Sequence, residues 1–148
     1  EDYAKSLSGT RIELIESDTY PAIRHSEAAV VASGTASLET ALIGTPQVVC
    51  YGGNPISFYI AKRLVMRSSI SYISLGNIII NKQAFRELLQ DDCTPETICQ
   101  EVNNLIFDKV YRGTMMERYG EIRSALGSEG ASVKVAQAMI NELKNQIK

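Results

Sequence analysis

The chain has 148 residues, a formal net charge of −2 and 45% apolar residues. That is long enough for one domain with a real core and ordinary for a globular protein. The near-neutral charge gives no basic field for nucleic acid, and no apolar run reaches the roughly 18–20 residues that cross a bilayer. The three cysteines, Cys50, Cys93 and Cys99, have neither metal-type spacing nor an even disulfide count, which fits a reducing compartment.

Taken in chain order, Arg11–Ile15 alternates like a short strand. Ser17 or Asp18 then caps a brief helix over Thr19–His25, with Pro21 in its first turn. Ala28–Ala32 is continuously apolar, which predicts a buried strand. Residues 35–43 form a helix that leaves at Gly44, and Gln47–Tyr51 is the next strand. Gly52-Gly53-Asn54-Pro55 is a loop. Helix-spaced apolar residues run from about Ile56 to Met66, and Tyr72–Leu75 reads as a short extended piece. Phe85–Gln90 reads as a short helix. Thr94 caps a longer helix with Pro95 in first position, and Ile98, Val102, Leu105 and Ile106 form its core stripe. Residues 111–126 continue as helix. Ala136, Met139, Ile140, Leu143 and Ile147 stripe the last one. Strands alternating with helices, followed by helices alone, predict a parallel-sheet α/β domain with a helical tail.

The most informative stretch is Ala32-Ser-Gly-Thr-Ala-Ser-Leu-Glu39, continuing to Gly44-Thr-Pro46. A strand feeds a small-residue turn that opens a helix, and ligands of such sheets bind beyond the carboxyl ends of the strands. The first turn of a helix offers unpaired N–H groups and the positive end of the dipole. Gly34 allows close backbone approach, and Ser33 and Thr35 add hydroxyls, so the turn suits a phosphate. Thr35 and Glu39 are four apart and share a helix face. A carboxylate there suits the two vicinal hydroxyls of a ribose. The plainer reading makes Ser33 or Thr35 an N-cap and Glu39 a solvated helix residue. The Tyr51-Gly52-Gly53 turn occupies an equivalent strand end.

Other residues carry two readings each. Asn77 can donate and accept toward a phosphate, a sugar or a peptide edge, and a Gly-Asn pair is also a common turn. In the 56–67 helix, Ile56, Phe58, Tyr59, Ile60, Leu64, Val65 and Met66 surround Lys62, Arg63 and Arg67. It is either a buried helix with snorkelling cations or an interfacial helix meeting acyl chains and anionic headgroups. His25, the single histidine, reads as a C-terminal helix cation rather than a catalyst.

The blocks Ser33-Gly-Thr-Ala-Ser-Leu-Glu39 with Gly44-Thr-Pro46, Phe58-Tyr-Ile-Ala-Lys-Arg-Leu-Val65, Tyr72-Ile-Ser-Leu-Gly-Asn77 and Glu87-Leu-Leu-Gln90 together resemble the lipid-A-disaccharide synthase family. The likeness covers roughly residues 25–140. It implies the C-terminal half of a GT-B fold, Rossmann-like, with residues 1–92 as the UDP-sugar donor-binding part. Residues 93–148 are then a helical tail of the same domain, swapped between subunits in a dimer. It implies an inverting transferase moving 2,3-diacylglucosamine from UDP to 2,3-diacylglucosamine 1-phosphate. Ser33, Gly34, Thr35, Ser37, Glu39, Tyr51 and Asn77 would bind UDP, and Phe58, Tyr59, Lys62 and Arg63 would meet membrane or acyl chains. The family base lies in the N-terminal half, so no catalytic residue is expected here. No metal and no cofactor are implied. The expected location is cytoplasmic, peripheral on the inner face of the inner membrane, with a homodimer through the C-terminal helices.

Two departures stand out. The family usually has Pro where this chain has Gly76, which predicts a freer loop before Asn77, and Asn81 replaces a common Gly. The chain begins Glu1-Asp2-Tyr3 without Met and is expected to be one inactive piece of a longer enzyme. Another UDP-sugar transferase or epimerase, and a non-enzymatic assembly module, are the alternatives.

Overall fold

The computed structural model describes residues 12, 13, 15, 17–32, 34–52, 72–127 and 131–146. The expected loop over 53–55 and the helix over 56–67 lie outside them, as do Ser33 and Ile147. Residues 12, 13 and 15 form no strand, so the strand expected over Arg11–Ile15 is not formed at its described positions.

Among the described residues three parallel strands make the sheet: β1 (Ala29–Ala32), β2 (Gln47–Tyr51) and β3 (Glu87–Leu89), in that spatial order. Helix α1 (Thr19–His25) precedes β1, and α2 (Thr35–Ile43) crosses from β1 to β2. Helix α3 (Leu75–Ile80) precedes β3. A short 3-10 turn, Gln90–Asp92, leads to α4 (Pro95–Phe107), α5 (Lys109–Leu126) and α6 (Ala131–Gln146). The parallel-sheet α/β class read from the β–α alternation, which the resemblance implies to be Rossmann-like, is the observed one, with a helical C-terminal part.

Strand β2 is the central strand and its first three residues are buried, including Gln47. The Gln47 amide donates to the Ser37 carbonyl at 2.8 Å and so ties α2 to the sheet. Strand β1 departs from the continuous burial expected of it: Val30 and Ala32 are exposed. Among the described residues β1 has one neighbour, β2, and lies at the sheet edge. Continuous apolar character therefore reported strand propensity there, not two-sided burial.

Two predicted elements exchange identity. Tyr72–Leu75 is not extended, because Ser74 is the N-cap of α3 and Leu75 its first residue. Phe85–Gln90 is not a helix, because Glu87–Leu89 pairs in register with Val49–Tyr51. Leu88 is fully buried in the process.

The core joins sheet and tail. Val48, Val49 and Leu88 pack with Ala41, Phe85, Leu105, Met115, Tyr119 and Ile122. Phe85 and Tyr119 meet edge to face, with centroids 6.1 Å apart. Thr94 and Thr97 form the capping box that starts α4 at Pro95. Leu105 is buried, Ile98 and Val102 are partly buried, and Ile106, expected in the stripe, is exposed. The inward position goes instead to Glu101, which accepts from Tyr111 and from Arg86 at 3.2 Å. Burial, reinforced by that hydrogen bond, pushes the Tyr111 phenol well above its ordinary range. On α6, Val135, Met139, Ile140 and Leu143 are all exposed.

Candidate nucleotide site

Gly34 is the N-cap of α2, at φ 140° and ψ −159°. That region is essentially closed to residues with a Cβ, which explains the glycine. A Cβ built on Gly34 would meet nothing within 4 Å among the described residues, which leave the space beside this backbone open. The cap has no side chain, and among the described residues no side-chain hydrogen bond caps the helix start. Thr35 is the first helical residue rather than the N-cap, and it is exposed.

Ser37 is fully buried, and its hydroxyl donates to the Gly34 carbonyl at 2.8 Å. Its backbone N–H reaches the same oxygen at 3.3 Å. This residue shapes the turn from behind and presents no hydroxyl to the open side. Glu39 follows Thr35 by one turn on the same face and is half-buried. It lines a groove of about 550 Å³ between α1 and α2, with Tyr20, Pro21, Arg24, His25, Leu42 and Ile43. Glu39 thus shares the lining of a concavity with two basic residues, Arg24 and His25. Tyr20 and Arg24 were not singled out by sequence reasoning, although their spacing of four puts them on one face of a helix that precedes the site strand. His25 ends α1 in the basic last turn, where a helix cation was expected.

Tyr51 closes β2, half-buried and in register with Leu89. Cys50 before it is also half-buried. Burial and a hydrogen bond to Cys93 push its thiol up to about 11, which keeps it protonated at neutral pH.

Asn77 is placed differently from expectation. It lies inside α3, fully buried. Its amide donates to the Phe85 carbonyl at 2.9 Å and to Glu87 Oε1 at 3.0 Å. Its Oδ1 accepts from the N–H of Ala84 at 2.7 Å and of Phe85 at 3.3 Å. These bonds use all four positions of the side chain. The Glu87 carboxylate also accepts the N–H groups of Ile73 and Ser74 at the start of α3. Asn77 borders a smaller cavity of about 270 Å³ with Tyr72, Gln83, Arg86, Glu87 and Leu89. Among the described residues no lining residue is common to this cavity and the Glu39 groove.

Gly76 also departs from its reading as a source of loop freedom. It is buried in α3, and a Cβ there would lie 2.9 Å from Phe85 Cε1 and 3.1 Å from Ile122 Cδ1. Close packing demands the glycine. Asn81 is the C-cap at φ 50° and ψ 37°, the left-handed conformation that glycine and asparagine share at helix ends.

Ser33, Phe58, Tyr59, Lys62 and Arg63 lie outside the described residues. Among the described residues no helix is long and apolar enough to cross a membrane, and no group of three His, Cys, Asp or Glu side chains is placed to hold a metal.

The fold and the glycine turn with its acidic helix define a Rossmann-like α/β unit with a candidate nucleotide groove. A family model for lipid-A-disaccharide synthetase matches residues 3–139, and the chain belongs to that family. It is 34% identical over 143 residues to a lipid-A-disaccharide synthase of Trichlorobacter lovleyi, covering 95% of this chain and 37% of the relative. It is 36% identical over 147 residues to the protein of that name from Nitrosococcus oceani, covering 98% and 37%. For the Acidobacterium capsulatum protein of that name, identity is 36% over 131 residues, covering 85% and 32%. The chain thus spans about a third of the length of the curated relatives it matches.

Proposed function

We propose that this chain is the donor-binding part of a lipid-A-disaccharide synthase. The whole enzyme is an inverting glycosyltransferase that moves 2,3-diacylglucosamine from UDP to 2,3-diacylglucosamine 1-phosphate. The observation that carries this reading is the pairing of an open, glycine-capped helix start with Glu39 one turn on, in a groove. The diphosphate lies over Gly34 and Thr35, where N–H groups and the helix dipole stabilise charge growing on the leaving group. Glu39 accepts the two ribose hydroxyls. Ser37 fixes the turn through the Gly34 carbonyl. Asn77 contributes by holding α3 against the 84–87 segment rather than by touching the donor. Tyr51 borders the same end of the sheet. The general base is supplied by chain outside these 148 residues.

The enzyme works at the cytoplasmic face of the inner membrane, with Phe58, Tyr59, Lys62 and Arg63 as its lipid contacts. The exposed Met139, Ile140 and Leu143 on α6 support a homodimer through the C-terminal helices, which light scattering of the chain tests directly. Isothermal titration with UDP tests the site: the unsubstituted chain binds, and Glu39→Ala binds about tenfold more weakly, the scale of losing a charged hydrogen-bonding partner. Equal affinities refute the ribose role.

A further inference from the structure

The last turn of α2 is held from outside. The Thr40 carbonyl accepts the N–H groups of Gly44 and Thr45, which leaves the later carbonyls without a helical partner. Arg123 of α5 supplies the donors. Its Nη2 reaches Ala41 O at 3.3 Å and Leu42 O at 3.1 Å, and its Nε reaches Leu42 O at 3.4 Å. The guanidinium also puts a positive charge at the negative end of the helix dipole. Gly44 makes room for it: φ is +99°, and a Cβ would lie 3.2 Å from Arg123 Nη2.

The same turn fixes the other wall of the groove. The buried Thr45 hydroxyl donates to Ile23 O of α1 at 2.6 Å. Tyr119, one helical turn before Arg123, donates from its hydroxyl to Thr45 O at 3.2 Å. Helix α5 therefore grips α1 and α2 through a single turn at the far end of α2 from Gly34.

We propose that Arg123 is a positioning residue for nucleotide binding, acting through α2 to set Glu39 and the Gly34 turn against α1. This rests on the nucleotide reading given above. Its effect passes through the C-terminal half of a nine-residue helix: the Ser37 end is tied to the sheet by Gln47, and Arg123 holds the Ala41 and Leu42 carbonyls of the part whose Glu39, Leu42 and Ile43 line the groove.

The test is UDP titration of the unsubstituted chain, Glu39→Ala, Arg123→Ala, Arg123→Lys and Thr45→Val, well below each variant's unfolding midpoint. Arg123→Ala is expected to weaken UDP binding about threefold to tenfold, in line with the hydrogen bonds removed, with Arg123→Lys recovering part of it. Thr45→Val, which keeps shape and loses the bond to α1, is expected to weaken binding about threefold. If both Arg123→Ala and Thr45→Val lower only the unfolding midpoint and leave UDP affinity unchanged, while Glu39→Ala loses affinity, the positioning role is overturned and the nucleotide site stands. If the unsubstituted chain does not bind UDP, both fall.

Discussion

Glu39 and Asn77 are both polar residues on short helices that precede a strand of the same sheet, and their surroundings are opposite. Glu39 lines an open groove, on a helix whose start is capped, among the described residues, by no side-chain hydrogen bond. Asn77 is fully buried, and every donor and acceptor of its side chain is taken by Phe85, Ala84 and Glu87. One residue has chemistry to offer a ligand; the other has spent it on the fold. The contrast predicts that substitutions in the two places move different observables.

The largest effect belongs to Asn77→Ala. It removes four hydrogen bonds and strips the buried Phe85 N–H and carbonyl of their Asn77 partners, while the Ala84 N–H keeps the Lys82 carbonyl at 3.0 Å. Stranding buried groups of this kind costs about 3 kcal/mol or more. Urea denaturation of the chain should register that loss, and UDP affinity measured on the remaining folded molecules should stay within about twofold, since a residue without ligand contact removes no binding energy. A variant of normal stability that fails to bind would break the contrast and return Asn77 to the donor site.

Gly76→Ala ranks next. Its new Cβ would press on the Phe85 ring and on Ile122, and overpacking of a tight contact costs about 2 kcal/mol. Gly34→Ala follows at about 1–2 kcal/mol, because alanine must adopt a conformation reserved for glycine although no described residue lies within 4 Å of its new Cβ. The two glycines separate the halves of the comparison. A larger residue at position 76 fails by collision, while one at position 34 fails by backbone strain and by obstructing the turn. UDP affinity should accordingly fall for Gly34→Ala and hold for Gly76→Ala.

How much of this was legible in the sequence follows the same division. The helix at 35–43, its exit at Gly44, the strand at 47–51 and the start of α4 at Pro95 all came from local signals, and the observed bounds agree. Local signals suffice there because glycine, proline and capping residues act on their own backbone. The 72–90 segment misled because its determinants are distant in sequence. Ile78-Ile79-Ile80 favours a strand by propensity but is helical, since the Glu87 carboxylate anchors the start of α3 and Asn77 binds its middle to residues 84–87. Glu87-Leu-Leu89 favours a helix by propensity but is drawn out to pair with β2. Of the candidate site, the turn at Gly34 and the place of Glu39 one helical turn on were legible from spacing. The opposing wall, Tyr20 and Arg24, was not, because nothing local says which helix packs beside α2. The turn held by Arg123 was equally hidden, since its partner helix lies about eighty residues downstream.

The smallest stability effect is the sharpest test of the open side. Among the described residues Glu39 accepts none of the hydrogen bonds that hold α2 to the sheet or to α5; those run from Gln47 to the Ser37 carbonyl and from Arg123 to the Ala41 and Leu42 carbonyls. Glu39→Ala also replaces a helix-interior glutamate with the best helix former. The unfolding midpoint of the chain without ligand should therefore shift by no more than the equivalent of about 0.5 kcal/mol, in either direction. With saturating UDP present the two proteins should diverge, because ligand that binds only the folded state raises the midpoint in proportion to the logarithm of its concentration over Kd. The unsubstituted chain should gain the larger increment. A carboxylate that were merely solvated surface would leave both midpoints equal, with and without nucleotide. One that supported the fold would lower the midpoint of the ligand-free chain. Only a ligand-facing Glu39 leaves the free protein unchanged and reduces the gain from UDP, so a thermal scan in two buffers distinguishes the three roles.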